Sequence, residues 1–208
     1  PLVRAIAGDE LEGDALRERF ARAAWTGIAE PGDRVAGHLV ASIGATNALE
    51  AIVARASVES MEEQVSGDVT RDELQAAVER WLPRLQSRVA LLALTQAARY
   101  AVRLLIPGDA AWPAGFDDLG PHAPLALWLR GNETTLASTG ESMALVGARA
   151  ATGYGEHVAM EASAGLVDRG YTIVSGAAYG IDGMAHRAAL ASSGRTIAVL
   201  AGGVDRFY

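Results

Sequence analysis

Asp182 and His186 stand four residues apart in the stretch VSGAAYGIDGMAH (residues 174–186), just after the Ser175-Gly176 pair. An acid and an imidazole at that spacing share one face of a helix. Together they could move protons, hold a metal or brace a turn. Each chemical use lacks a part. A metal pair needs further ligands at a recognisable spacing, and none follows. Acid–base catalysis needs a nucleophile, yet Ser175 is not set in a Gly-x-Ser-x-Gly elbow. An aspartate in the first turn of a helix is favoured by the helix dipole and can accept from the unpaired amides there. The residues therefore predict a structural turn, with Asp182 paired to His186. Arg149 is the third residue with chemistry to offer. It follows Gly147-Ala148 in VGARAATGYG (146–155), between an apolar run and a helix. Its guanidinium fork beside free amides at a helix N-terminus suits a phosphate. Its spacing equally allows an ion pair with Asp182 or Glu156.

These residues meet only if the chain supplies a scaffold. Three successive units read SMALVGARAATGYGEHVAMEASAGLVDRG, YTIVSGAAYGIDGMAHRAALASSG and RTIAVLAGGVDRFY. Each opens with a short apolar strand and turns at glycine; the first two continue into helices ended by Gly170 and Gly194. This alternation predicts an α/β fold with a parallel, doubly wound sheet. Right-handed crossovers would bring all three glycine turns to the carboxyl edge, where open sheets bind ligands. The runs AVRLLIP (101–107) and PLALWLRG (124–131) read as earlier strands of the same half.

Residues 10–98 carry helical spacing instead. EGDALRERFARAAWTGIAE is stopped by PGD at 31–33, and VAGHLVASIG and TNALEAIVARA follow. A longer helix is predicted from Thr70, an N-cap with Glu73 completing a capping box. Leu74, Val78, Trp81, Leu82 and Leu85 lie on its one face, Pro83 kinks it, and the pattern resumes through ALLALTQAARY. His38 and Ser42 read as surface polar groups. The boundaries that follow are a helical domain over 1–98 and an α/β domain over 99–208.

The 208 residues carry a net charge of −7, which excludes a protein that wraps nucleic acid by bulk charge. Residues 1–98 hold 10 Arg and 15 acids, residues 99–208 hold 8 Arg and 10 acids, and no Lys occurs. A local phosphate site stays open; a basic surface does not. The absence of cysteine removes disulfides and thiolate metal sites. No apolar run is long enough for a membrane span and no signal-peptide pattern opens the chain, so a cytoplasmic protein is expected. The first turn is not a dinucleotide fingerprint, because Arg149 stands where the second glycine must let a pyrophosphate approach. Without Lys there is no P-loop.

ALVGARAATGYG, YTIVSGAAYGIDGMAHRAAL and GRTIAVLAGGVDRFY closely resemble, in order and spacing, the DNA-processing protein A family (DprA, also called Smf). The upstream DAAWPAGFDDL and APLALWLRGN are similar to that family's approach segment, with Trp112-Pro113 where Tyr-Pro is usual. The resemblance covers the chain from about residue 100; the helical region is similar in character only. It implies a non-enzymatic, cytoplasmic protein with a Rossmann-like sheet preceded by a small all-α domain. Such a protein binds single-stranded DNA, protects incoming DNA and loads RecA recombinase during natural transformation, with no cofactor, metal or membrane. It also implies a homodimer in the full-length protein. Carried over by position, Gly147, Ala148 and Arg149 contact phosphate, Ser175, Gly176 and Gly180 form a second wall, and Gly202 and Gly203 a third. Tyr154 and Tyr179 are candidate base-stacking surfaces. The family more often has Gly-Ser-Arg at 147–149 and a basic residue at 179. GGVDRFY stops one residue before the proline the family pattern expects, so the α/β domain is expected to be C-terminally incomplete, with the dimer surface beyond Tyr208. One rival is a Rossmann-like hydrolase acting on nucleoside monophosphates; its P-G-G-x-G-T turn and following Glu are not matched by AGGVDRF. The other is a pure protein-interaction module using the helical half.

Overall fold

Helical spacing in the N-terminal half becomes a series of short helices in the computed structural model, which describes residues 1–8, 10–200 and 202–204. They are α1 (Leu2–Ala7), α2 (Gly13–Ile28), α3 (Arg34–Ile43), α4 (Ala45–Val53), α5 (Val58–Glu62), α6 (Arg71–Trp81) and α7 (Ser87–Arg99). Their apolar faces bury Trp25, Leu39, Ile52, Met61, Leu74 and Trp81 in one core. The rings of Trp25 and Trp81 meet edge to face with centroids 5.1 Å apart, a favoured aromatic geometry. A buried indole also needs an acceptor. Trp25 Nε1 donates to the Ala45 carbonyl at 3.2 Å, and Trp81 Nε1 to Asp33 Oδ2 at 2.9 Å. Asp33 is at the same time the N-cap of α3, its Oδ1 accepting from the amides of Val35 and Ala36.

The capping box at Thr70 and Glu73 forms as expected. Pro83 ends the helix rather than kinking it. α6 stops at Trp81, a 3-10 turn covers Leu82–Arg84, and α7 starts afresh, because proline lacks the amide and crowds the preceding turn. His38 and Ser42 are half-buried, not bare surface groups. The Ser42 hydroxyl donates to the His38 carbonyl at 2.8 Å and accepts the Ser66 amide at 2.9 Å.

The two earliest strands depart from expectation. β1 (Arg103–Leu105) and β2 (Leu127–Leu129) pair antiparallel with each other, Leu104 opposite Trp128. They belong to the helical unit, Pro1–Asp109 with Ala114–Arg130, and the second unit comprises Ala110–Pro113 and Gly131–Tyr208. Side chains of α2 explain the division that replaces the 98/99 boundary. Arg19 forks onto Asp109 and also donates to the Leu104 carbonyl at 3.2 Å. Arg22 donates to the Leu125 carbonyl at 2.8 Å, and Thr26 accepts the Trp128 indole at 3.1 Å. A short apolar run carries no period to separate this hairpin from a parallel strand.

In the second unit α8 (Glu133–Ala137) precedes β3 (Ser142–Ala144), α9 (Gly153–Val167), β4 (Thr172–Ser175), α10 (Ile181–Ala191) and β5 (Thr196–Ala198). The sheet is parallel in the order β3-β4-β5. Sequential order means both crossovers run the same way, so α9 and α10 pack side by side against β4. The reversal that would make the sheet doubly wound is not among the described residues. Ile173 lies at the centre with Ala185 and Ala189, all fully buried, and Leu145, Leu166 and Val167 pack around them. Alanines let the helices approach closely, and buried Ser163 donates to the Ala185 carbonyl at 2.7 Å to fasten α9 to α10. Asp205 to Tyr208, on which the expectation of an incomplete domain rests, lie outside the described residues.

Asp33 serves two elements of the helical unit at once. Asp33→Ala removes an N-cap worth about 1 kcal/mol and strands a buried indole donor worth about 1–3 kcal/mol. Thr70→Ala removes only a cap. Urea unfolding followed by tryptophan fluorescence is expected to rank Asp33→Ala as clearly the more destabilised.

Candidate functional site

Asp182 is the second residue of α10 and is buried, with 6% exposure. Its carboxylate takes its hydrogen bonds at a distance and makes none to His186. Oδ1 accepts the Gly147 amide at 3.2 Å and Oδ2 the Gly176 amide at 3.1 Å. One side chain thereby fastens the turn after β3 to the turn after β4. Hydrogen bonds to a charged group are worth about 1.5–3 kcal/mol each, and a buried carboxylate requires them.

The glycines of these turns are required by protein contact. Gly180 holds φ +82, and a Cβ there would lie 2.3 Å from the Ala148 carbonyl oxygen and 2.4 Å from that of Arg149. The start of α10 thus rests on the backbone of the first turn, and the Ile181 amide donates to the Ala148 carbonyl at 3.2 Å. A Cβ at Gly147 would strike Ile181, and one at Gly176 would sit 2.9 Å from Asp182 Oδ2. Ser175 is buried, and its hydroxyl donates to the Leu145 carbonyl at 2.6 Å, tying β4 to β3. Of the residues expected as phosphate walls, Ser175 is buried, Gly176 and Gly180 are half-buried and Gly147 is exposed, and the amides of Gly147 and Gly176 are taken by Asp182. Ala177 between them holds φ +57, a left-handed conformation that costs a non-glycine residue about 1–2 kcal/mol.

The expected Asp182–His186 hydrogen bond is not made. His186 Nδ1 meets Thr196 Oγ1 at 2.6 Å, and that hydroxyl donates to the Ile173 carbonyl at 3.0 Å. With the hydroxyl's one proton committed, Nδ1 must carry the proton between them. The ring bridges α10 to the first residue of β5, while Nε2 is buried and makes no hydrogen bond. Burial lowers the His186 pKa below the ordinary histidine value, against the Asp182 charge and the Ser175 carbonyl, which raise it. Sequence reasoning misses Thr196; a hydroxyl opening a strand, opposite a helical His, is the available signal. The structure gathers no third ligand beside Asp182 and His186, since no cluster of three metal-binding side chains occurs among the described residues.

The remaining candidates lie outward. Ala148 and Arg149 are exposed, and among the described residues no ion pair or hydrogen bond engages the Arg149 guanidinium; neither Asp182 nor Glu156 pairs with it. Tyr154, in the first turn of α9 capped by Thr152, is 78% exposed, and Tyr179, next to Gly180, is 74% exposed. Gly202 and Gly203 are exposed beyond β5. Topology sets the turns after all three parallel strands along one sheet edge. The arrangement offers an Arg fork and two aromatic faces above an internally locked floor.

The DNA recombination-mediator protein A family matches residues 103–208, just over half of the chain. The chain belongs to this family. A Mycobacterium tuberculosis relative bearing the DprA name is 50% identical over 116 residues, 51% of this chain and 30% of its own length. The Bacillus subtilis DNA processing protein DprA is 33% identical over 154 residues, 72% of this chain and 50% of its own. The chain spans no more than about half the length of these curated relatives. The X-ray structure of DNA processing protein A from Streptococcus pneumoniae matches with a TM-score of 0.58 at 22% identity, over 92% of this chain and 60% of that one. That likeness supports the Rossmann-like α/β fold.

Two outcomes test the lock. Asp182→Asn keeps the shape but turns an N–H donor toward one of two N–H groups; calorimetry is expected to show a loss of about 1–3 kcal/mol, well beyond the about 0.5 kcal/mol of ordinary surface changes. For His186 the unfolded chain, with the higher pKa, binds the proton more readily. Stability is full above about pH 6.5 and declines as pH falls toward the lower folded pKa. Melting curves from pH 7.5 to 5 should show a steeper acid decline in the parent than in His186→Asn, which keeps a donor for Thr196 and cannot titrate.

Proposed function

We propose that this chain binds single-stranded DNA along the carboxyl edge of the β3–β5 sheet without performing chemistry on it. In the cell this protects incoming DNA and presents it to RecA recombinase during natural transformation, in the cytoplasm. The observation that supports the reading is that Arg149, Tyr154 and Tyr179 are exposed on or next to the turns at one sheet edge, with no ion pair or hydrogen bond on the Arg149 guanidinium among the described residues. Sequence-neutral strand binding needs phosphate contacts and stacking surfaces rather than base-edge donors, and these residue types supply both. The relatives' names, DNA processing proteins, point the same way. Phosphates meet the Arg149 fork, the exposed backbone at Ala148 and the Gly202-Gly203 turn; bases stack on the tyrosines.

Among the described residues, the groups that could serve catalysis are engaged elsewhere. Ser175 is buried and committed, Asp182 is consumed by two amides, and His186 faces Thr196. This disfavours the nucleotide-hydrolase alternative, whose substrate phosphate would need the amides that Asp182 holds. With a net charge of −7 there is little background attraction to DNA. A homodimer would place two such edges on one strand and raise avidity by about 10²–10⁴.

Arg149→Ala is expected to weaken oligo-dT binding roughly ten- to hundredfold and to lower the salt slope by about one. Tyr154→Ala and Tyr179→Ala should each cost about 1–3 kcal/mol of binding. Filter binding at several salt concentrations, beside a screen for nucleotide hydrolysis, decides it. Equal affinities for parent and Arg149→Ala would sink the proposed edge, and turnover of a nucleoside monophosphate would favour the hydrolase.

A further inference from the structure

We infer that Asp182 sets the ligand selectivity of this edge: its carboxylate fills the anion cradle formed by the Gly147 and Gly176 amides, so that free phosphate and nucleoside monophosphates are rejected. Two backbone N–H groups from successive strand-end turns converge there, beside the N-terminus of α10. Convergent amides at such a place are an ordinary phosphate receptor. Here the two oxygens of one carboxylate, spaced much like two oxygens of a phosphate, take both donors at 3.2 and 3.1 Å. The group is 6% exposed, so it is a fixed part of the floor and not a mobile surface acid.

The consequence is a division by ligand class. A mononucleotide has a single phosphate with which to anchor itself, and the donors able to hold that dianion from several sides are already satisfied by a like charge. A phosphodiester chain needs no such socket. It carries one charge per unit, and binding is summed over several phosphates and stacked bases reached from outside. The internal carboxylate therefore disfavours monomers while leaving Arg149, Tyr154 and Tyr179 to a strand. The second half of this inference rests on the strand-binding reading; the occupied cradle does not.

Isothermal titration of the parent chain and of Asp182→Ala with inorganic phosphate and with AMP tests it, with oligo-dT titrated in parallel. The parent is expected to show no AMP binding at millimolar concentration, and folded Asp182→Ala to gain at least about tenfold in phosphate and AMP affinity through two freed amides. A merely structural aspartate would give instability and no new ligand. Should Asp182→Ala not fold, Asp182→Asn, which keeps the shape and one acceptor oxygen but removes the like charge, carries the same titration. The parent alone supplies an independent measurement: AMP should fail to displace bound oligo-dT. AMP binding by the parent, or a folded variant that gains nothing, overturns the inference. If the variant gains phosphate while the parent ignores oligo-dT, the cradle stands and the strand reading falls. If the parent binds oligo-dT and the folded variant gains nothing, the reverse holds.

Discussion

Two backbone amides from different turns converge on one buried carboxylate, and the carboxyl edge of the second unit's sheet takes its shape from that convergence. The Gly147 and Gly176 amides sit at the ends of neighbouring strands, where the ladder no longer supplies acceptors. Without such an acceptor each would have to find water or another partner. Asp182 satisfies both, and the position of its charge in the first turn of α10 is itself favoured by the helix dipole. The same turn holds Ala177 in a left-handed conformation, which persists only because its neighbours over-determine it. The acid and the imidazole that look like a pair in sequence thus divide the labour. Asp182 locks β3 to β4, and His186 locks α10 to β5 through Thr196.

On the strand-binding proposal, this division also reconciles a negative protein with a polyanionic ligand. A bulk field of the wrong sign weakens long-range attraction within a Debye length of about 8–10 Å, but a local donor set is decided by its own geometry. The Asp182 carboxylate is turned inward and satisfied by two amide hydrogen bonds, whereas Arg149 is exposed and engaged by nothing among the described residues. On the strand-binding proposal, affinity comes from a few contacts and salt weakens it with a shallow slope.

How much of this is legible in the chain depends on sequence distance. The Thr70–Glu73 capping box is a three-residue event and reads directly from the residues. Strand, glycine turn and helix in repeated order likewise announce the parallel sheet. Asp182 stands out in the sequence, but its partners do not, because Gly147 lies 35 residues away and only the fold brings it near. The β1–β2 hairpin is hidden for a related reason: two short apolar runs do not state their partner or direction, and Arg19, Arg22 and Thr26 on α2 decide it. Pro83 is visible, yet whether it bends or ends a helix depends on what packs behind it.

Gly180 carries the most general point. A glycine-rich turn at a strand end is commonly taken as space left for a phosphate, since only glycine lets a ligand approach the backbone. At Gly180 the approaching backbone belongs to the protein's own first turn. Sequence cannot separate these causes, because both demand the absence of a Cβ. The distinction matters for mechanism. Turns that rest on one another form a rigid rim before any ligand arrives, so Tyr154, Tyr179 and Arg149 project from fixed backbone. Ordering costs of about 0.5–1.5 kcal/mol then fall only on their side chains and not on the loops. On the strand-binding proposal, such a rim favours a flexible strand, which must itself be ordered on binding and gains most from a partner that is not.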